Sequence, residues 1–254
     1  MNSFLRRYPL VLPILMLMVA SIAGIVLLAA RVAISRHLRH LYLPWNLFLA
    51  WIPLFLALTV RFLSCRVSDR RWPLVLAAAA WMLFFPNAPY ILTDLVHLPE
   101  KAYRHYWADM MLIFHFALTG LMLGFLSLHV MHTVVTRRFG WWKGWSFVLG
   151  ATALSGLGIY LGRFLRLNSW DVLVDPVGLA SGLVWWVREV FQHPSAWILP
   201  LLFASITFLA YLLFTSLFRP AVDGESRQEV GPGLSQGVAC SATRKEFRNI
   251  TSSV

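Results

Sequence analysis

The residues of this chain that are equipped for chemistry gather at the ends of its apolar runs. Asp94 and His97 close the stretch Phe85-Pro86-Asn87-Ala88-Pro89-Tyr90-Ile91-Leu92-Thr93-Asp94-Leu95-Val96-His97, and a carboxylate near an imidazole can supply acid–base catalysis. Later in the chain Arg163, Arg166, Asn168 and Asp171 stand close together. Two arginines three apart on a helix point to similar sides, and guanidinium forks suit a phosphate or carboxylate. Asp109 opens a further apolar run. Asp94 and His97 are therefore the candidates for acid–base work, and Asn87, Tyr90, Asp109, Arg163, Arg166, Asn168 and Asp171 for substrate binding. The plainer reading makes the arginines anchors at lipid headgroups and Asp94 a surface acid after a helix-ending turn.

The backbone of the first stretch must be irregular. Pro86 lacks an N–H and clashes with the preceding turn, so it ends or kinks the helix that arrives from Leu74. Pro89 at a first helical position, with Asn87 as its cap, predicts a new short helix. On that helix Tyr90, Asp94 and His97 fall at i, i+4 and i+7, along one face.

Other constellations have simpler accounts. His115 lies deep in an apolar run, where an imidazole hydrogen-bonded between helices competes with a functional role. His129 and His132 could share a metal, but no third ligand accompanies them, so no metal site is expected. Gly120 with Gly124, and Gly158 with Gly162, have the small-xxx-small spacing that lets membrane helices approach closely, and predict that two neighbouring spans meet there. Ser155-Gly156-Leu157-Gly158 fails as a dinucleotide fingerprint, because no strand precedes it and Leu161 replaces the third glycine. No cofactor motif is found.

The elements that carry these residues follow from composition. Of 254 residues, 59% are hydrophobic and 13% charged, with a mean hydropathy of +0.67. A soluble interior of this size cannot hide so much apolar sequence, while several runs reach the ~18–20 residues that cross a bilayer. The reading is an all-α integral membrane bundle of about six spans, near 10–30, 43–63, 73–95, 107–131, 145–166 and 196–217. The third is broken by Pro86 and Pro89. Residues 176–192 are too short and too charged at one end to span, and predict an interfacial or shallow re-entrant helix opened by Asp175-Pro176. The tail, 218–254, is polar and expected to be disordered. The first apolar run, Leu10 to Ala30, exceeds the ~7–15 residues of a signal-peptide core and reads as a retained span.

Six spans put both termini on one side. More of the 22 Lys and Arg residues fall on that side than on the other, so the positive-inside bias predicts cytoplasmic termini. The +11 net charge then reflects topology and not nucleic-acid binding. Most of the 12 tryptophans fall near span ends, as interfacial residues do. Cys65 and Cys240 would both face the reducing side and stay unpaired. The bilayer is the expected partner, with an anionic lipid or small molecule as ligand; nothing in the sequence sets an oligomeric state.

Four segments together resemble a known family of bacterial multi-pass membrane proteins, the domain of unknown function 1361. They are Pro44-Trp45-Asn46-Leu47-Phe48-Leu49-Ala50-Trp51-Ile52-Pro53, Phe85 to Leu98, Trp107 to Ser127, and Gly158 to Asp171. The resemblance covers roughly residues 43 to 217. It implies a bacterial inner-membrane location and carries no activity. Three functional classes stay open: a site at the outer membrane face for an anionic substrate, free or lipid-linked; a small-solute transporter using the broken third helix; or a structural partner of another membrane protein.

Overall fold

The computed structural model describes residues 10–36, 38, 40–65, 72–97, 106–165, 169, 171–192 and 194–218. Every regular element among them is helical: α1 (Val11–Ser35), α2 (Tyr42–Cys65), α3 (Trp72–Phe84), α4 (Asn87–Tyr90), a 3-10 helix (Ile91–His97), α5 (Tyr106–Phe139), α6 (Trp141–Phe164), α7 (Asp171–Val174), α8 (Pro176–Gln192), a second 3-10 turn (Pro194–Trp197) and α9 (Ile198–Phe218). Six helical segments among the described residues are long and apolar enough to cross a membrane. The protein is a multi-pass integral membrane bundle. The tail expected to be disordered, 218–254, lies outside the described residues from 219 onward, while Phe218 still belongs to the last helix.

α5 is the central pillar. It packs against α1, α2, α6 and the broken segment, while α9 lies along α6. Its sequence explains the position, since Ala117, Thr119, Gly120, Gly124 and Ser127 are buried among larger side chains and leave room for neighbours on several sides. The outer helices do the reverse. α1 exposes Val19, Ile22 and Val26, and α9 exposes Leu201, Leu209 and Leu213, as suits helices whose backbone bonds are satisfied internally and whose side chains meet hydrocarbon.

α5 runs past its expected end and α6 begins before its expected start, so that Gly140 alone separates them. Its φ of 94° is a conformation glycine adopts without steric cost. Between α1 and α2 the stop is Arg36 at φ 55°, whose N–H returns to the Val32 carbonyl at 2.7 Å, closing the last turn in the left-handed manner.

The third span breaks where the prolines predicted, but in a different way. The α3 helix ends as the Phe85 N–H meets the Trp81 carbonyl at 2.8 Å, and the Tyr90 N–H then reaches the Pro86 carbonyl at 3.0 Å. Pro86, not Asn87, takes the cap position of α4 and makes no side-chain cap bond. The stretch from Ile91 is a 3-10 helix with about three residues per turn. At that period the expected common face of Tyr90 and Asp94 is lost.

The glycine expectation also changes. A Cβ on Gly120 would stand 2.5 Å from Ile91 Cδ1, one on Gly124 3.0 Å from Ala88 Cβ, and one on Gly158 2.7 Å from Pro86 Cγ. Small residues on α5 and α6 therefore receive the proline-broken segment between them, and do not serve chiefly to bring those two helices together. Trp81 anchors the same region. It stacks on Phe85 with ring centroids 4.8 Å apart, and its indole N–H donates to Ser127 Oγ at 2.7 Å.

Asp175 caps α8, accepting the Gly178 N–H at 2.9 Å, as the Asp-Pro pair predicted. α8 packs mainly on α7 before it and the 3-10 turn after it. Trp186 is buried edge-on against Trp197 at 4.8 Å, and Val177, Val184 and Trp185 are exposed.

Candidate functional site

The break costs the chain backbone hydrogen bonds, and the repair builds the site. The Leu83 carbonyl at the end of α3 accepts from Ser169 Oγ at 2.8 Å. Ser169 Oγ in turn accepts from Asn87 Nδ2 at 3.1 Å. One hydroxyl from the connection after α6 thus ties together both sides of the break, as irregular backbone at membrane depth requires. Next to this stitch lies a cavity of about 650 Å³. Its polar end is formed by Asn46, Asn87, Tyr90 and Ser169, and Leu83, Leu157 and Leu161 are among its apolar walls.

Asp94 sits beside the polar end. Its carboxylate is 1% exposed and accepts from Asn46 Nδ2 at 2.7 Å. Asn46 belongs to both, lining the cavity and holding the acid. An ionised carboxylate at such burial has to be matched by hydrogen bonds or charge. The Tyr42 ring is half-buried nearby, within electrostatic reach of Asp94, Asp109 and Arg163, so all three charges belong to one layer of the bundle.

Asp109 has its own partner in that layer. Arg31 Nε lies 2.5 Å from Asp109 Oδ1 and Arg31 Nη2 3.2 Å from Oδ2. This is the forked geometry in which guanidinium and carboxylate bind most strongly. His40 Nε2 stands 3.4 Å from the same Oδ2, and His40 is itself buried. The pair clamps α1 to α5 at the end of the bundle that carries the cavity.

The predicted residues thus separate. Asn87 and Tyr90 line the cavity, Asp94 joins it through Asn46, and Arg163 follows the lining residue Gly162. Asp109 is engaged with Arg31, and Asp171 begins α7, half-buried. Arg166 and Asn168, with the side chain of His97, lie outside the described residues. The side chains not singled out from sequence are Asn46, Ser169, Arg31, His40 and Tyr42. Asn46 had a signal, an amide in the first turns of an otherwise apolar helix; Ser169 had none, because a serine in a polar connection is unexceptional.

His115 and His132 join helices to one another. His115 Nε2 bonds the Ala20 carbonyl at 2.9 Å, joining α5 to α1. His132 Nδ1 meets the Tyr211 hydroxyl at 3.0 Å. Among the described residues no group of three His, Cys, Asp or Glu could hold a metal ion.

Residues 45–214 match the model of a family described as "Protein of unknown function (DUF1361)". No curated protein and no solved structure matches the chain.

Proposed function

The chain belongs to the DUF1361 family of proteins of unknown function, and we propose that the cavity at its broken helix binds an anionic ligand. The carrying observation is the polar end of that cavity. Asn46 and Asn87 each commit one amide hydrogen, to Asp94 and to Ser169, and each keeps a second N–H to give. The Tyr90 hydroxyl is a third donor on the wall, and the Arg163 guanidinium follows Gly162 at the end of α6. These three donors, with a positive charge at the end of the adjoining helix, suit a phosphate or carboxylate. The bound Asn46 amide stands between Asp94 and the cavity, so the acid orients a donor and does not repel the anion directly.

The charge bias of the sequence supports cytoplasmic termini, with the site at the opposite face of a cytoplasmic membrane. Transport is the second reading. It is favoured by the fact that the broken helix itself lines the cavity, through Pro86, Asn87 and Tyr90, as discontinuous helices do in many transporters.

The test compares short-chain phosphatidic acid with diacylglycerol of the same chains, by equilibrium titration in an uncharged detergent. The anionic ligand is expected to bind at least ~10-fold more tightly, the difference that one charge-assisted hydrogen bond supplies. Arg163→Gln should remove most of that preference. Equal affinities for the two, or an unchanged preference in Arg163→Gln, would refute the reading. Transport is separated by flux of a bound anion across proteoliposomes.

A further inference from the structure

We propose that the ligand of this site carries a hydrocarbon chain and enters sideways from the bilayer, between α3 and α6. The inference rests on the anion-binding reading and adds the class of molecule and its route. α3 packs chiefly on α2. It approaches α6 where Trp81 meets Phe147, with rings 5.6 Å apart, and just past its end Pro86 lies against Gly158. Alongside this seam runs the apolar part of the cavity, with Ala79, Met82 and Leu83 from α3 facing Leu154, Leu157 and Leu161 from α6.

Two of these wall residues are also on the outside of the bundle. Ala79 is exposed, and Leu154 is 52% exposed. Leu154 precedes Arg163 by nine residues of one helix, which is about 13 Å along the axis. The cavity therefore opens well below the polar end, at a depth where a spanning helix is surrounded by lipid tails. Water has no favourable place against leucine side chains there, and a compact hydrophilic anion would leave those walls unfilled. An amphiphile matches both ends. Its anionic head meets Asn46, Asn87 and Tyr90, and one chain lies along Leu154 and Leu157 and passes out between the helices into the bilayer. Leu179 also lines the cavity, from a helix whose exposed Val177, Val184 and Trp185 suit the membrane interface.

The experiment uses the full chain in phosphatidylcholine nanodiscs with a phosphatidic acid bearing a diazirine midway along one chain. Photolysis is expected to label the α3 and α6 walls around Ala79, Leu154 and Leu157. Ala79→Trp, a substitution at an exposed position that narrows the opening, should cut that labelling at least ~10-fold without changing thermal stability. A Leu154→Trp variant provides the same check from the other helix. In parallel, lysophosphatidic acid should compete at least ~100-fold better than glycerol phosphate, since each buried methylene adds to affinity. Labelling confined to the outer faces of α1 and α9, or equal competition by glycerol phosphate, overturns the lateral route and the chain requirement while leaving the anion site standing. Failure of both competitors overturns the anion reading and this inference with it.

Discussion

Separating Arg31 from Asp109 should be among the most damaging single changes in the molecule. Their side chains are 10% and 1% exposed, and the two contacts at 2.5 and 3.2 Å form a fork that no single neutral group reproduces. Arg31→Met leaves a buried carboxylate beside the His40 imidazole at 3.4 Å, and Asp109→Leu takes the forked carboxylate away from the guanidinium. Breaking a buried pair by removing one partner costs about 3–5 kcal/mol. At ~2–4 °C per kcal/mol for a chain of this size, each single variant should melt about 6–20 °C lower. The double variant Arg31→Met with Asp109→Leu leaves neither charge alone, and apolar side chains of similar bulk fill the site. It should recover at least ~2 kcal/mol relative to the sum of the singles. The assay is thermal unfolding in detergent, followed by tryptophan fluorescence, as a double-mutant cycle repeated at low and high salt. A desolvated pair is poorly screened, so the coupling should survive high salt, whereas an exposed pair would lose it. Single effects that add to within ~0.5 kcal/mol mean that the two residues do not act as a unit, and the clamp between α1 and α5 would have to be abandoned.

Gly158→Leu should destabilise by about 1–3 kcal/mol through overpacking, because even a Cβ meets Pro86 Cγ at 2.7 Å; Gly150→Ala, with nothing within 4 Å of its new Cβ, should be neutral or stabilising by up to ~1 kcal/mol. Ser169→Ala removes the donor to the Leu83 carbonyl and the acceptor for Asn87, and should cost about 1–3 kcal/mol, read as a lowered melting temperature that Ser169→Thr partly restores. Cysteines introduced singly at positions 100 and 174 should be labelled by an impermeant maleimide from the same side of the membrane, since an even number of spans separates them.

The bundle was legible because its signal is local. An apolar run of ~20 residues needs no knowledge of its neighbours to be read as a spanning helix, and a proline announces a break wherever it stands. What the prolines do not announce is the period that follows them. Reading Ile91 to His97 as α-helix put Tyr90 and Asp94 on one face, and the 3-10 geometry separates them. Partner choice was the larger obstacle. Asp109 and Arg31 are 78 residues apart, and no spacing rule selects Arg31 over the other arginines. The glycines show the same limit: Gly120 and Gly158 were correctly read as places of close approach, but a missing side chain does not say whether a helix or a kinked backbone will fill the gap.

The stitch across the break also sets an order of events during synthesis. Leu83 and Ser169 lie 86 residues apart in the chain, and translation adds about 5–20 residues per second. For roughly 4–17 seconds after Leu83 is made, its carbonyl has no serine to meet. An unsatisfied peptide group in hydrocarbon costs several kcal/mol, so the nascent third span has reason to wait beside water or the insertion machinery until the fifth span arrives. The broken segment is then the last part of the first four spans to settle, and a slowed or shortened fifth span would be felt first as retention of the third.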